Sequence, residues 1–294
     1  MQSIWKYLLG FLALATATIF IAVFSGQDEK LHLIACDVGQ GDAILAIYKN
    51  NQVLIDGGPD KKVLDCLSRH MSYWDKKIEV VMLTHPQQDH YGGLIDVFKS
   101  YEVETFVGNA VDSSSQGYQV LKNLVERSGA RVINPNEETT IRLGLIYLDI
   151  VSPLKGLLAA ETTQNSSDVL GAFTTNRDLN DFSIVAILSL GDFDALLTGD
   201  VGPEIIPEII AAGEIKDIEY IKVPHHGSKN GLTQELLDAS MPEVAVISVG
   251  KNNSYGHPNE EILKMLSDKN IKIERTDEMG DIEIITDRES WWFR

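Results

Sequence analysis

The sequence predicts an α+β domain in which mixed sheets are covered by helices. Short apolar runs typical of strands alternate with helical patterns along most of the chain. The run Glu79–Thr84 is almost wholly apolar, as is typical of a strand that is covered on both faces. The turn Lys49–Asn51 separates two strand-like runs and predicts a hairpin. These observations indicate the class and leave the topology open.

The predicted elements follow one another from Leu31 without a linker that would split the chain, so residues 31–294 are predicted to be one domain. Strands are expected at Leu31–Asp37, Ala43–Tyr48, Gln52–Asp56, Glu79–Thr84, Glu102–Val107, Ile141–Val151 (one or two strands), Phe182–Leu190, Phe193–Thr198, Ile218–Val223, Val244–Val249, Ile271–Arg275 and Asp281–Ile285. Helices are expected at Asp60–His70, Tyr91–Ser100, Gln116–Ser128, Pro203–Ala212, Leu232–Ala239 and Asn259–Lys269. The polar stretch Lys155–Asn180 is predicted to be a functional loop or poorly ordered.

The N-terminal residues 1–26 have the composition of a membrane anchor. Tyr7–Phe24 contains no charged residue, which meets the length of about 18 residues needed to span a bilayer. Lys6 precedes this run and Asp28 follows it, so the remainder is predicted to lie outside the cytoplasm. A cleaved signal peptide, leaving a secreted domain, is the alternative. Residues 27–30 are predicted to be a short linker between this N-terminal segment and the folded domain.

The charge and the cysteines limit the function and the compartment. Lys and Arg number 25 against 43 Asp and Glu, a net charge of −18. This balance argues against broad electrostatic capture of nucleic acid, but not against a nucleic acid held at a metal centre. Cys36 and Cys66 alone provide no disulfide framework and no zinc site of four cysteines. Buried free thiols are expected, with a disulfide between them as the alternative in an exported domain.

Histidine and aspartate residues follow several of the predicted strands, as in a hydrolytic metal centre. His85, Asp89 and His90 lie within six residues after a covered strand, and their side chains suit zinc, manganese or iron. Asp200 ends another apolar strand, where a carboxylate could bridge two ions. His225 and His226 follow a third strand and point in different directions on an extended backbone, so at most one is expected to be a direct ligand.

Six motifs then make the chain resemble a known family over about residues 31–290. They are DVGQGD (37–42), LIDGG (54–58), LTHPQQDHYGG (83–93), LLTGD (196–200), VPHHGS (223–228) and YGHP (255–258). In this order they resemble the metallo-β-lactamase-fold hydrolases, and more narrowly the β-lactamase-like domain of the ComEC family of DNA-uptake proteins. The resemblance implies a four-layer αββα sandwich with metals at one edge.

The resemblance also implies ligand roles, residue by residue. The ligands of one metal position match Asp89, His90, Asp200 and His225, with Asp200 bridging to a second position that includes His85. Asp56 matches a buried carboxylate that orients the metal-binding loop. The chain departs from the family pattern at Gln87, where a histidine is usual, and it has no histidine between His90 and His225.

The departures predict one tightly and one weakly held divalent ion. Asn180 or Asp181 is expected near the place of the missing histidine. A set with fewer imidazoles and more oxygens favours manganese over zinc.

Further side chains are predicted to border the substrate. Gln40 and Asp42 lie on the first glycine-flanked loop, and Ser228 ends the VPHHGS motif. His257 is a candidate for contacting a phosphate or protonating a leaving oxygen. The predicted catalytic residues are therefore Asp89, His226 and His257.

The predicted function is metal-dependent hydrolysis, with extracellular DNA as substrate and a metal ion activating the attacking water. The chain is accordingly expected to act as a phosphodiesterase or nuclease, with the membrane and a DNA-uptake machinery as partners. The fold alone does not establish the substrate. The alternatives are hydrolysis of another extracellular bond, in a cell-wall polymer, a lipid headgroup or a lactone, and a non-catalytic module that binds metal or DNA. The oligomeric state is left open.

Overall fold

Two β-sheets pack face to face and carry helices on their outer sides in the computed structural model of the chain. The structure describes residues 2–24, 28–161, 170–213 and 215–294. The strands are β1 (Leu31–Ala35), β2 (Ile44–Tyr48), β3 (Asn51–Ile55), β4 (Lys77–Leu83), β5 (Glu102–Gly108), β6 (Arg131–Ile133), β7 (Thr140–Leu143), β8 (Ile146–Ser152), β9 (Val185–Leu190), β10 (Phe193–Leu197), β11 (Tyr220–Lys222), β12 (Val244–Ile247), β13 (Lys272–Arg275), β14 (Ile282–Thr286) and β15 (Trp291–Phe293).

The α-helices of the described residues lie mainly between the strands in sequence. They are α1 (Gln2–Phe24), α2 (Lys62–His70), α3 (Gln88–Tyr91), α4 (Leu94–Ser100), α5 (Gln116–Ser128), α6 (Lys155–Glu161), α7 (Ile206–Ala211), α8 (Gln234–Ser240), α9 (Glu260–Asp268) and α10 (Thr276–Met279). Short 3-10 turns occupy Leu179–Phe182 and Pro224–Gly227.

Each sheet combines antiparallel and parallel pairs. The order in the first sheet is β15-β14-β1-β2-β3-β4-β5-β6, and in the second β13-β12-β11-β10-β9-β8-β7. Strands β3 to β6 run parallel, as do β10 to β13. Loops that follow parallel strands emerge at one edge of their sheet, which brings polar residues from distant parts of the sequence together.

Both faces of each sheet are buried, which explains the nearly continuous apolar runs. Successive residues of a strand point to opposite faces. Leu33 therefore lies in the core between the sheets, and the next residue, Ile34, lies in the core under α2, α4 and α5. In the second sheet Leu197 faces the first sheet, and Leu196 packs in the outer core with α7 to α9. The layers are thus helix, sheet, sheet, helix, as the resemblance implied.

Most predicted elements are confirmed to within a few residues, and two predictions need correction. The helix expected at Tyr91–Ser100 is divided into α3 and α4 at Gly92-Gly93. A Cβ on Gly93 would lie 2.1 Å from the Gly57 carbonyl oxygen, so the chain approaches the loop after β3 too closely there for a side chain. The polar stretch Lys155–Asn180 begins with helix α6 rather than a loop, and its residues 162–169 lie outside the described part of the chain.

The N-terminal run is helical, since α1 covers Gln2–Phe24. Within the described residues, however, no helix combines the length and the apolar character that a membrane crossing requires. The prediction of a transmembrane anchor in residues 1–26 is therefore not supported. Gln27, the first residue of the predicted linker, lies outside the described residues.

The two cysteines are bonded to each other, so the expectation of free thiols is wrong. Cys36 follows β1 and Cys66 lies on the buried face of α2, which packs over that strand. Their Cα atoms are 5.8 Å apart, well within the range of disulfides. The bond ties the start of the loop 37–42 to α2.

Candidate metal centre

A buried carboxylate after β3 organises the centre. The backbone of Asp56 adopts a positive φ of 59° immediately after the strand, and its side chain is fully buried. Its oxygens accept hydrogen bonds from the Thr84 amide (2.8 Å) and the Thr84 hydroxyl (2.8 Å), and from Nδ1 of His90 (2.7 Å). Asp56 therefore fixes both the end of β4 and the orientation of His90.

Three buried imidazoles present Nε2 to the same region. Because the Thr84 hydroxyl donates to Asp56, it accepts from Nδ1 of His85 at 3.1 Å. Nδ1 of His226 donates to the Ser248 carbonyl oxygen at 2.9 Å. Nδ1 thus carries a proton in each ring, and Nε2 makes no hydrogen bond within the described residues. Buried Nε2 atoms that are not engaged in hydrogen bonds are what a metal ion requires of histidine ligands.

The turn Pro224–Gly227 decides which of the adjacent histidines enters the centre. His225 and His226 both have left-handed backbones, with φ of 50° and 54°. This turn buries His226 and leaves His225 partly exposed. The family resemblance implied that His225 is the ligand. The structure instead brings His226 into the cluster, so His226 is the proposed ligand.

Four side chains converge closely enough to hold one ion. Asp89, His90, Asp200 and His226 offer ligand atoms that all lie within 4.8 Å of one another. Oδ2 of Asp200 is 3.3 Å from Nε2 of His90 and 3.4 Å from Nε2 of His226, and Oδ2 of Asp89 is also 3.4 Å from the latter. Two imidazole nitrogens and two carboxylates fit a divalent ion such as zinc or manganese.

A buried lysine lies behind this group and was not predicted. Lys222 is 1% exposed, its ammonium pairs with Asp42, and it lies 3.4 Å from Oδ1 of Asp200. It also donates to the Gly199 carbonyl oxygen at 2.9 Å. Asp200 therefore offers one oxygen to the histidines and the other to Lys222. A lysine between the apolar residues Ile221 and Val223 of this predicted strand was the available sequence signal.

Burial and charge act against each other on the ionisable groups. Desolvation disfavours the cationic form of His226, but the carboxylates of Asp200 and Asp42 outweigh it and raise its pKa to about 9. The same balance raises the pKa of His90, mainly through Asp200 and Asp56. His85 is different: burial and the neighbouring His90 lower its pKa to about 3. In the metal-free protein at pH 7, His90 and His226 therefore carry protons that a metal must displace.

Binding of a divalent ion is expected to release about two protons near pH 7.5, from His90 and His226, since ligating imidazoles are neutral. The apparent affinity should fall by about tenfold per pH unit for each proton released as the pH drops below the raised pKa values. Calorimetric titration in buffers of different ionisation enthalpy measures this release directly. A binding heat that is the same in all buffers would contradict it.

The second predicted metal position is poorly provided with ligands. His85 joins no group of three candidate histidine, cysteine or acidic ligands within the described residues. The Gln87 amide donates to Oδ1 of Asn180 at 2.9 Å, so Asn180 does lie near Gln87. That contact occupies the Gln87 amide nitrogen, so that only its amide oxygen, a weak neutral ligand, is left for a metal. The residues favour one well-formed metal position.

The other predicted residues border the cluster in different ways. Asp42 is buried beside it, with Oδ1 at 3.4 Å from Nδ1 of His226. Gln40 accepts from the Gly250 amide at 3.2 Å and so joins the first loop to the loop after β12. The Ser228 hydroxyl accepts from the Asn230 amide at 3.3 Å, which uses it in the turn. His257 lies outside the ligand group, with its ring 6.0 Å from that of His225.

A cleft of about 430 Å³ opens on the ligand group. Its lining includes Asp89 and His226, and also Lys62, His225, Tyr255 and His257. A larger cavity of about 850 Å³ near the beginning of β1 contains none of the proposed ligands. We therefore place the functional site in the smaller cleft.

Comparison with known proteins identifies related sequences and folds. The family model of the Metallo-beta-lactamase superfamily matches residues 36–251 of the chain. The chain is 26% identical over 290 residues to ComE operon protein 3 of Bacillus subtilis (strain 168), covering 90% of this chain and 34% of that protein. It is 25% identical over 256 residues to Recombination protein 2 of Haemophilus influenzae, covering 84% of this chain and 28% of that protein. The chain thus spans about a third of the length of these curated relatives.

Two solved structures are similar in fold. The metallo-beta-lactamase fold protein YhfI from Bacillus subtilis has a TM-score of 0.53 and 10% identity, with 90% of this chain and 100% of that chain covered. Igni18, a metallo hydrolase from the archaeon Ignicoccus hospitalis, has a TM-score of 0.53 and 15% identity, with 88% and 99% covered. At these identities the likeness concerns the fold alone.

Proposed function

The chain belongs to the metallo-beta-lactamase superfamily, whose fold implies a metal-dependent hydrolase, and we propose that it hydrolyses phosphodiester bonds in DNA. One observation carries the proposal: the preorganised group Asp89, His90, Asp200 and His226 lies at the end of a cleft that also contains a lysine and two further histidines. The carboxylate and imidazole ligands can hold the ion, while the lysine and the two further histidines of the cleft face a phosphate.

A divalent ion held by this group would polarise a phosphoryl oxygen and activate the attacking water. The chain's own residues supply the remaining requirements. Asp89 is the most accessible of the four ligands, with 32% of its side chain exposed, and it faces the cleft. Burial and the neighbouring His226 and His225 lower the pKa of His257, so this imidazole is neutral at pH 7 and can donate a hydrogen bond to a phosphate or a leaving oxygen.

The names of the relatives are the support for DNA as the proposed substrate. Two of them are named after the ComE operon and recombination, and a third is called Competence protein ComA. With a net charge of −18, the protein offers DNA little general attraction, so the strand would be held mainly at the cleft. DNA handled during uptake is the proposed source of substrate, and an uptake machinery the proposed partner.

We also propose that the domain works outside the cytoplasm. The Cys36–Cys66 disulfide supports this location, because such bonds persist mainly in oxidising compartments. Alkylation of free thiols in protein recovered and then denatured without reductant should modify neither cysteine, although denaturation exposes both positions. Modification of both would remove this support.

The function is tested by incubating the full chain, loaded with Mn²⁺ or Zn²⁺, with single- and double-stranded DNA and with small phosphomonoesters and carboxylic esters. We expect cleavage of DNA and loss of at least about a hundredfold in kcat/KM for Asp89→Asn, because a ligand carboxylate becomes a neutral amide. Asp192→Asn, at the exposed turn between β9 and β10, is the matched control and should retain full activity.

Hydrolysis of an ester or a phosphomonoester in preference to DNA would show that the chain is a hydrolase whose substrate is not DNA. Stoichiometric metal binding without turnover of any compound would instead indicate a binding module.

A further inference from the structure

An exposed tyrosine lies at the mouth of the cleft. Tyr255 is 71% exposed, whereas other tyrosines of the domain, such as Tyr91 and Tyr118, are buried. Its ring stacks on His257, with centroids 5.7 Å apart and planes inclined by 26°. One face of the tyrosine ring is thus occupied by His257, and most of the remaining surface is exposed to solvent.

The loop holds this ring in place through one side chain. Oδ1 of Asn253 accepts from the amides of Tyr255 (3.2 Å) and His257 (3.0 Å). Nδ2 of Asn253 donates to the carbonyl oxygens of Gly250 (2.9 Å) and His257 (2.8 Å). Four hydrogen bonds from one asparagine fix the backbone on both sides of Tyr255. An exposed aromatic ring on a fixed backbone loses little conformational entropy when a ligand covers it.

A row of rings leads from Tyr255 to the ligand group. His257 contacts His225 edge-on, with centroids 6.0 Å apart, and His225 contacts the ligand His226 in the same manner at 6.3 Å. Lys62 and Gln40 also line this cleft. A phosphodiester at the metal position therefore has an aromatic surface on one side and a lysine within the same cleft.

We propose that Tyr255 is a stacking platform for a nucleobase of the strand whose phosphodiester occupies the metal centre. This inference rests on the proposed function and adds the part of the substrate that is recognised besides the phosphate. Stacking on an aromatic side chain tolerates any base and requires that the base be unpaired. The platform therefore selects single-stranded DNA, or a frayed end of a duplex, over a continuous duplex.

The platform is tested with two single strands of equal length, one carrying all its bases and the other abasic at the nucleotides flanking a single cleavable phosphodiester. The wild-type protein should show a KM for the base-bearing strand that is lower by about tenfold or more, with a similar kcat. Tyr255→Leu should raise the KM for the base-bearing strand to that for the abasic strand. Tyr255→Phe should retain the wild-type KM, because the ring is kept.

The control is Tyr73→Leu, which removes an equally exposed ring (77%) in the segment between α2 and β4, away from the cleft. It should leave both KM values unchanged. Equal KM values for the two strands in the wild-type protein would overturn the platform and leave the phosphodiesterase intact. A Tyr255→Leu variant that still distinguishes the strands would also overturn it. Cleavage of neither strand would overturn the proposed function, and the platform with it.

Discussion

Replacing Lys222 by methionine is expected to lower the free energy of unfolding of the metal-free protein by about 3–5 kcal/mol. The ammonium is buried with Asp42 and Asp200, and the change removes this cation from both carboxylates, which leaves only the neighbouring histidines to balance them. Burial disfavours the charged forms, but mutual attraction holds the pKa of Lys222 above and that of Asp42 below the ordinary values. Urea denaturation in the presence of EDTA measures the loss without a contribution from bound metal.

A double variant separates the charge from the packing. Lys222→Met combined with Asp42→Asn removes the Asp42 charge together with its cation. The double variant should therefore lose less free energy of unfolding than the sum of the losses in the two single variants. Lys264→Met, which breaks an exposed pair with Asp268, should cost less than about 1 kcal/mol. An equally small loss for Lys222→Met would show that the buried cation does not stabilise the carboxylates of the centre.

Substitution of the two adjacent histidines is expected to have unequal effects on metal binding. His226→Ala should weaken the affinity for Zn²⁺ or Mn²⁺ by more than about a hundredfold, because residues that merely orient ligands already contribute about 10–100-fold. His225→Ala should leave the affinity within a few-fold, since His225 lies in the cleft and outside the ligand group. Competition with a fluorescent chelator measures both affinities on the same scale.

The comparison contains its own control, since both variants remove the same side chain at neighbouring positions. A similar loss in the two variants would indicate a metal shared by both rings. A loss confined to His225→Ala would restore the ligand that the sequence motif implied and would contradict the arrangement of the turn.

The predictable parts of the chain are those governed by periodic burial. The strands β1, β4 and β10 appear in the sequence as apolar runs because both faces of each sheet are covered. The short edge strands β6 and β15 were not predicted, since each has only three partly buried or exposed residues, too few to show a periodic pattern. Likewise, the disulfide depends on the packing of α2 over β1, which the separation of the cysteines in sequence does not reveal.

The site was predictable in its chemistry and less so in its geometry. The motif around Thr84–His90 identified three of the residues near the centre, because polar groups after a buried strand must be accommodated at the sheet edge. The choice between His225 and His226 depends on two left-handed residues in a tight turn, and the sequence HHGS does not specify those angles. The position of the Lys222 side chain likewise depends on Asp42, which lies in the loop between β1 and β2 of the first sheet, whereas Lys222 ends β11 of the second.

The most direct measurement follows DNA cleavage and bound metal in the same samples. The full chain, stripped of metal, is titrated with Mn²⁺ or Zn²⁺, and the ion retained per chain is determined by mass spectrometry beside the rate of cleavage of single-stranded DNA. We predict that cleavage rises with occupancy, saturates near one ion per chain, and is absent in His226→Ala at the same concentrations. Intact DNA at full occupancy, or unchanged cleavage in His226→Ala, would contradict the assignment of this centre as a metal-dependent phosphodiesterase.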